Sequence, residues 1–312
     1  MALFWVLRRW FCLLGAMCCI GTAQADNVMI VASDRSNASQ AEVAQALLAE
    51  LRRLGMRDVV QRDLKDLEAA DFSGSAAPKV VVSLGVNALK QVLARDMRVP
   101  VIAAFVPRLS FDAAVKQVSG KASTWVCALY LDQPIGRQLE LVRLALPGAR
   151  RMGVLWGPES VVQRPALLAA ARTQGLQEVP AHFADSGTLF NALQTALDDA
   201  QVLLAWPDPQ VYNSATIANI LLTTYRARVP VVGFSPSYVQ AGALMSVHST
   251  PKQHSQQAAA MAHAALQAGA PVPSQYPSDF EVSVNLRVAR ALGLTLNAAD
   301  LSDQLRKLER RP

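Results

Sequence analysis

Val28-Met29-Ile30-Val31-Ala32 is apolar at every position, and the polar run Ser33-Asp34-Arg35-Ser36-Asn37 follows it. Ser39 with Glu42 three residues on reads as a capping box. Val43, Leu47, Leu48, Leu51 and Leu54 then share one helical face that Gly55 ends. A strand that is apolar throughout is covered on both sides, which is the signature of a parallel sheet with crossover helices. The same grammar recurs: β-branched runs at 79–83, 99–105, 151–156, 201–206 and 229–234 alternate with helical patterns at 86–95, 134–146, 161–174, 187–199 and 211–226. Two sets of such units predict an α/β protein of two doubly wound, Rossmann-like lobes.

Outward from these units the rhythm is less regular. The region 107–131 departs from it, and Arg151-Met152-Gly153-Val154-Leu155-Trp156 reads like the first strand of a second lobe. Val282-Ser283-Val284-Asn285 adds a late strand, a helix runs through Leu292-Gly293, and a charged helical tail occupies 297–312. No low-complexity linker separates the halves, so they exchange segments rather than sit as beads. Of the 312 residues 52% are hydrophobic and 17% charged, which excludes a disordered or coiled-coil chain. The net charge of +6 is spread along helices instead of gathered in a stripe, so no nucleic-acid partner is expected.

The first 25 residues are of another kind. Arg8 and Arg9 precede an apolar run from Trp10 to Ile20, and Thr22-Ala23-Gln24-Ala25 carries small residues at the −3 and −1 positions before Asp26. This pattern predicts an export signal over 1–25, cleaved after Ala25, and a periplasmic mature protein. Gly15-Ala16-Met17 before Cys18 lacks the small residue a lipoprotein site needs at −1, and Arg8-Arg9 loosely resembles a twin-arginine signal. Cys12, Cys18 and Cys19 lie in that segment, which leaves Cys127 alone in an apolar run, as a small hydrophobe without a disulfide partner.

Ligands of open parallel sheets bind beyond the carboxyl ends of the strands. Those ends carry Ser33 and Asn37, then Ser83 and Asn87, then Phe105-Val106-Pro107. In the second half they carry Trp156-Gly157-Pro158, Asp185-Ser186-Gly187, Trp206-Pro207-Asp208 and Phe234-Ser235. Four of these ends bear an aromatic ring although aromatics form only 6% of the chain, which points to a cleft with stacking surfaces and a few polar anchors. The expected arrangement has Trp156, Trp206 and Phe105 sandwiching a planar body. Asp208 would accept from an ammonium or hydroxyl group, with Ser83, Asn87 and Ser235 as neutral donors. Chemistry is not expected, nor is any cofactor. There is no glycine-rich nucleotide fingerprint, the four histidines lack metal spacing, and His254 and His263 read as a solvated helix face. Gly233-Phe234-Ser235-Pro236-Ser237 lacks the second glycine of a nucleophile elbow.

Three stretches carry a family resemblance. Val229–Leu244, reading VPVVGFSPSYVQAGAL, and Tyr276–Leu294, reading YPSDFEVSVNLRVARALGL, resemble signatures of the ABC-importer substrate-binding proteins of the tryptophan/tyrosine type, which have the type I periplasmic-binding fold. Leu144–Leu155 (LALPGARRMGVL) is similar to the opening of that family's second lobe. The resemblance implies a bilobed clamshell with lobe one at 26–128 plus 245–275 and lobe two at 129–244 plus 276–296. It also implies a small-molecule ligand, with an ABC permease as partner. A membrane sensor or outer-membrane uptake system served by the same kind of receptor remains the alternative. Asp208 matches an acidic residue of the family and Ser235 its strand-end loop, whereas Trp156-Gly157-Pro158 stands where relatives commonly have Tyr-Asn-Pro.

Overall fold

The structure is a computed structural model and describes residues 28–33, 38–74, 77–95, 98–118, 124–182 and 188–310. The expected export signal, Asn37 and the strand end 185–187 lie outside the described residues. The first sheet is built from β1 (Val28–Ala32), β2 (Val59–Asp63), β3 (Val80–Leu84), β4 (Val101–Val106) and β5 (Val126–Tyr130), all parallel, in the order β2-β1-β3-β4-β5. Side-chain alternation divides its apolar strands between two helix layers. Ile30, Val82, Ile102 and Leu129 face α1 (Ala38–Arg53) and α9 (Pro251–Ala268). Val31, Val81 and Val101 face the other way, where α2 (Val86–Leu93) lies, and α3 (Arg108–Lys116) packs with it. The helix expected to be capped by Ser39 begins one residue before it, at Ala38.

The second sheet repeats the plan. Its strands are β6 (Arg151–Trp156), β7 (Gln177–His182), β8 (Val202–Leu204), β9 (Val231–Gly233), β10 (Met245–His248) and β11 (Glu281–Val284), in the order β11-β10-β9-β8-β6-β7. Read from the β7 side, this is the order of the first sheet again, with β11 added antiparallel at the edge. One face carries α4 (Ile135–Ala145), α5 (Arg164–Thr173), α10 (Leu286–Ala291) and α11 (Ala298–Glu309), and the other carries α6 (Leu189–Leu197) and α7 (Ile217–Arg226). A short α8 (Pro236–Ala241) follows β9. The lobes are thus two copies of one doubly wound topology, as the alternating apolar runs require.

The chain passes between the lobes three times. It leaves the first sheet after Tyr130, returns after His248 to lay α9 against the first lobe, and goes back after a bridge between Leu129 and Gln275. Two boundaries therefore differ from the expected 128/129 and 244/245. Segment 245–248 is a full strand of the second sheet, paired with both β9 and β11, because Met245 and Val247 continue its buried apolar face. The described part of the charged tail, 297–310, is likewise packed on the second lobe. Asn297 caps α11 by accepting from the Ala299 and Asp300 N–H groups, and Leu301 and Leu305 enter the second lobe's core.

Helix α9 starts with a full capping box. Thr250 accepts from the Gln253 N–H, Gln253 accepts from the Thr250 N–H, and Pro251 occupies the first helical position. His254, expected on a solvated face, is instead 1% exposed. Its neighbours Ala258, Ala262 and Ala265 let the helix approach the sheet closely, so position 254 falls inside. Cys127 is buried as expected, and desolvation pushes its thiol up to about 11.

Candidate ligand-binding site

A cleft of about 450 Å³ lies between the lobes and draws its walls from both. Its first-lobe wall begins where β4 ends. Pro107 caps α3 and fixes the chain direction, so that Arg108 opens the helix at the cleft. The Arg108 guanidinium donates to Tyr276 Oη at 2.7 Å and stands 5.7 Å and 5.9 Å from the ring centroids of Tyr130 and Tyr276. Asp112 lies 3.6 Å from it one turn on. The bond to Tyr276 raises the pKa of Arg108, so it stays a fixed positive charge at every working pH. Asp132, on the first crossing, accepts the Arg108 backbone N–H at 2.5 Å. Burial raises the pKa of this carboxyl, the expected response of an acid held away from water.

The second-lobe wall is apolar and aromatic. Trp206 follows β8 with its indole N–H donating to Gln163 Oε1 at 2.6 Å, and Val162, Ala166 and Pro207 flank it. Phe234 and Ser235 follow β9. Phe234 is held by Tyr238 at 4.4 Å and by Tyr212, edge-on, at 5.8 Å, so the ring is fixed before any ligand arrives. Near the crossings the cleft meets Gln133, Gln138, His248 and Ser249. The Gln138 amide nitrogen donates to the Gln133 carbonyl at 3.1 Å, and its buried Oε1 has no hydrogen-bond partner among the described residues. Burial lowers the pKa of His248, which favours the neutral imidazole.

Of the ten residues singled out in the sequence, Trp206, Phe234 and Ser235 line this cleft. Trp156 does not. It is still in strand register, paired with His182, so alternation sends its side chain to the face that Met152 and Val154 share. There it is 1% exposed, its ring sits 6.2 Å from Trp206, and its N–H donates to Glu178. Phe105 also turns away from the cleft. Its φ of 57° marks the irregularity at the end of β4, and its ring packs 4.2 Å from that of His254, whose Nε2 accepts the Phe105 N–H at 3.1 Å. The proposed aromatic sandwich of Phe105, Trp156 and Trp206 is therefore absent.

Asp208 is corrected as well. It is 2% exposed, and its carboxylate accepts the N–H groups of Glu159 at 3.2 Å, Ser160 at 2.8 Å and Gln210 at 2.9 Å. These bonds tie together the loops after β6 and β8, the switch point of the second sheet. The same packing accounts for Gly157, since a Cβ there would stand 2.4 Å from Asp208 Oδ2 and 2.7 Å from Val211 Cγ2. The Trp-Gly-Pro departure and the buried aspartate are one feature. Ser33, Ser83 and Asn87 gather at the carboxyl edge of the first sheet, outside the cleft: Ser33 donates to the Leu84 carbonyl at 3.4 Å, Ser83 is fully buried in β3, and Asn87 is exposed on α2. Sequence reasoning missed Arg108, Asp132, Gln138 and Tyr276. Arg108 stands one residue beyond the strand end Phe105-Val106-Pro107, and Tyr276 opens a stretch whose only signal is its family resemblance.

The family model for ABC transporter substrate binding proteins matches residues 27–304. Among curated proteins none matches the sequence significantly. Solved structures share the fold at low identity. The ligand-free, open form of a substrate binding protein with adhesive properties from Clostridium difficile is 17% identical, with 88% of this chain and 96% of that one covered and a TM-score of 0.70. A conserved domain protein from Vibrio cholerae is 22% identical over 88% and 97%, with a TM-score of 0.61. An ABC domain in complex with L-Trp from Streptococcus pneumonia is 16% identical over 90% and 98%, with a TM-score of 0.59. With two lobes of repeated topology, a cleft between them and a family match over nearly the whole described chain, this protein belongs to the ABC transporter substrate-binding protein family.

Proposed function

We propose that the protein, exported to the periplasm by its leader, captures a small amino-acid-like solute with an aromatic or apolar body and presents it to an ABC permease. The observation that carries this reading is the two-sided chemistry of one cavity. The fixed charge of Arg108 and the Asp132 carboxyl line one wall, and Trp206 and Phe234 line the other. A zwitterion fits that division, with its carboxylate toward Arg108, its ammonium toward Asp132 and its side chain against the rings. The volume of about 450 Å³ lies in the range of small-molecule sites. The relative from Streptococcus pneumonia holds L-Trp, a solute of this class.

Capture is a population shift. A solute that touches both walls favours the closed arrangement by its differential contacts, and closure is what the permease reads. No turnover is involved. A thermal-shift screen of the purified protein against amino acids, nucleobases and small aromatics tests the reading. Aromatic and large apolar amino acids are expected to raise the melting temperature and to be recovered unchanged. Stabilisation by nucleobases alone, or conversion of the added compound, overturns it.

A further inference from the structure

The three crossings between the lobes are tied to a single side chain, and that side chain is held by the end of the chain. Arg137, on the first turn of α4, is only 5% exposed. Its Nη1 donates to Gln133 Oε1 at 2.7 Å on the first crossing and to the Pro277 carbonyl at 2.9 Å on the third. Gln133 Nε2 in turn donates to Ser249 Oγ at 3.0 Å on the second crossing, and Ser249 donates to the Asp279 carbonyl at 2.6 Å. The other edge of the guanidinium meets Glu309 in a two-pronged pair, Nε to Oε1 at 2.5 Å and Nη2 to Oε2 at 2.9 Å. Its face lies 4.1 Å from the Phe280 ring centroid.

Both edges and one face of this guanidinium are therefore engaged, and its planar fork serves a carboxylate, an amide oxygen and a carbonyl at once. Glu309 stands near the end of α11, beyond residue 304, where the family match stops. The core contacts of α11 through Leu301 and Leu305 explain why the helix is there, but not why its last turn reaches under the hinge.

We propose that Arg137 is a positioning residue that clamps the three crossings, with Glu309 as its anchor, so that the C-terminal helix sets the range of lobe opening. The clamp fixes the second-lobe ends of all three segments and confines bending to their first-lobe ends. It also holds Gln133, whose carbonyl orients Gln138 in the cleft. Without Glu309 the guanidinium loses half its donors' partners and is free to swing from Gln133 and Pro277. More backbone then takes part in the motion.

The test needs no solute, so it stands apart from the identity of the ligand. Spin labels carried on p-acetylphenylalanine at the exposed positions Lys116 and Glu159, one on each lobe, report the interlobe distance distribution in the full exported protein. Glu309→Ala and Arg137→Lys are expected to broaden that distribution and add a population at a separation absent from the unmutated protein. Glu309→Gln, which keeps one acceptor, is expected to fall between. Leu305→Ala, a core deletion in the same helix, is expected to lower the melting temperature with the distribution unchanged. Wild-type width in both Glu309 variants, or equal broadening in Leu305→Ala, overturns the clamp.

Discussion

Acidifying the protein through the range of a buried imidazole measures how firmly the end of β4 is held. His254 is 1% exposed and its Nε2 accepts the Phe105 N–H, a role open only to the neutral ring. Burial pushes its pKa from 6.5 down to about 4, against a smaller opposing pull from the Leu129 backbone. For a base whose folded pKa is depressed, the contribution is intact above 6.5 and is lost as pH falls toward 4, because the unfolded chain takes up the proton first. At roughly 1.4 kcal/mol per unit the loss across that window is about 3 kcal/mol, a large part of the stability of an ordinary domain. Phe105 makes the site sensitive: its φ of 57° is an unfavourable conformation for an aromatic residue, and the histidine bond and ring contact hold it there. Urea denaturation of the wild type and of His254→Gln, at several pH values between 7 and 4, isolates this contribution. Glutamine keeps an acceptor but does not titrate. The wild type should lose about 3 kcal/mol relative to the variant across the window. Parallel curves would refute the reasoning.

Further outcomes follow from the same geometry. Asp208→Ala orphans three N–H groups at the switch point of the second sheet and should cost about 3 kcal/mol or more in denaturant unfolding, an effect on folding rather than on solute contact. Gly157→Ala drives a methyl into Asp208 and Val211 and should lower the melting temperature measured by calorimetry, with Asp208→Ala partly relieving it in the double variant. Burial raises the pKa of Asp132, so its contribution to stability is full below 3.8 and is lost as pH rises through the folded value. Asp132→Asn should therefore gain stability relative to the wild type on going from acid to neutral pH, followed by the same denaturation assay.

The alternation of apolar runs with helical faces contained the fold, because buried parallel strands leave a run without polar interruption and each crossover helix leaves a stripe. Val28–Ala32 and Arg151–Trp156 show it directly: each heads a lobe of the same topology. The cleft was legible only in part. Trp206, Phe234 and Ser235 are legible as strand ends because they follow short strands and are free to turn toward the opposite lobe. Trp156 is not legible in this way, because one more residue of ladder pairing decides which face a side chain takes. Nor is the role of Asp208, because a carboxylate that satisfies loop N–H groups has the same sequence signature as one that awaits a ligand. Arg108 and Asp132 meet because β4 and β5 pair as far as Val106 and Tyr130, and Tyr276 joins them only through the third crossing, so local pattern holds no trace of that meeting.

Calorimetric titration of the purified protein with L-tryptophan and other large amino acids, repeated on Arg108→Ala and Trp206→Ala, tests the central claim most directly. Loss of either wall is expected to weaken binding at least about tenfold, since one charge-assisted bond or one aromatic contact contributes on that order, with both variants still folded by circular dichroism. Folded variants that bind every solute as tightly as the wild type would place the site elsewhere and contradict the account.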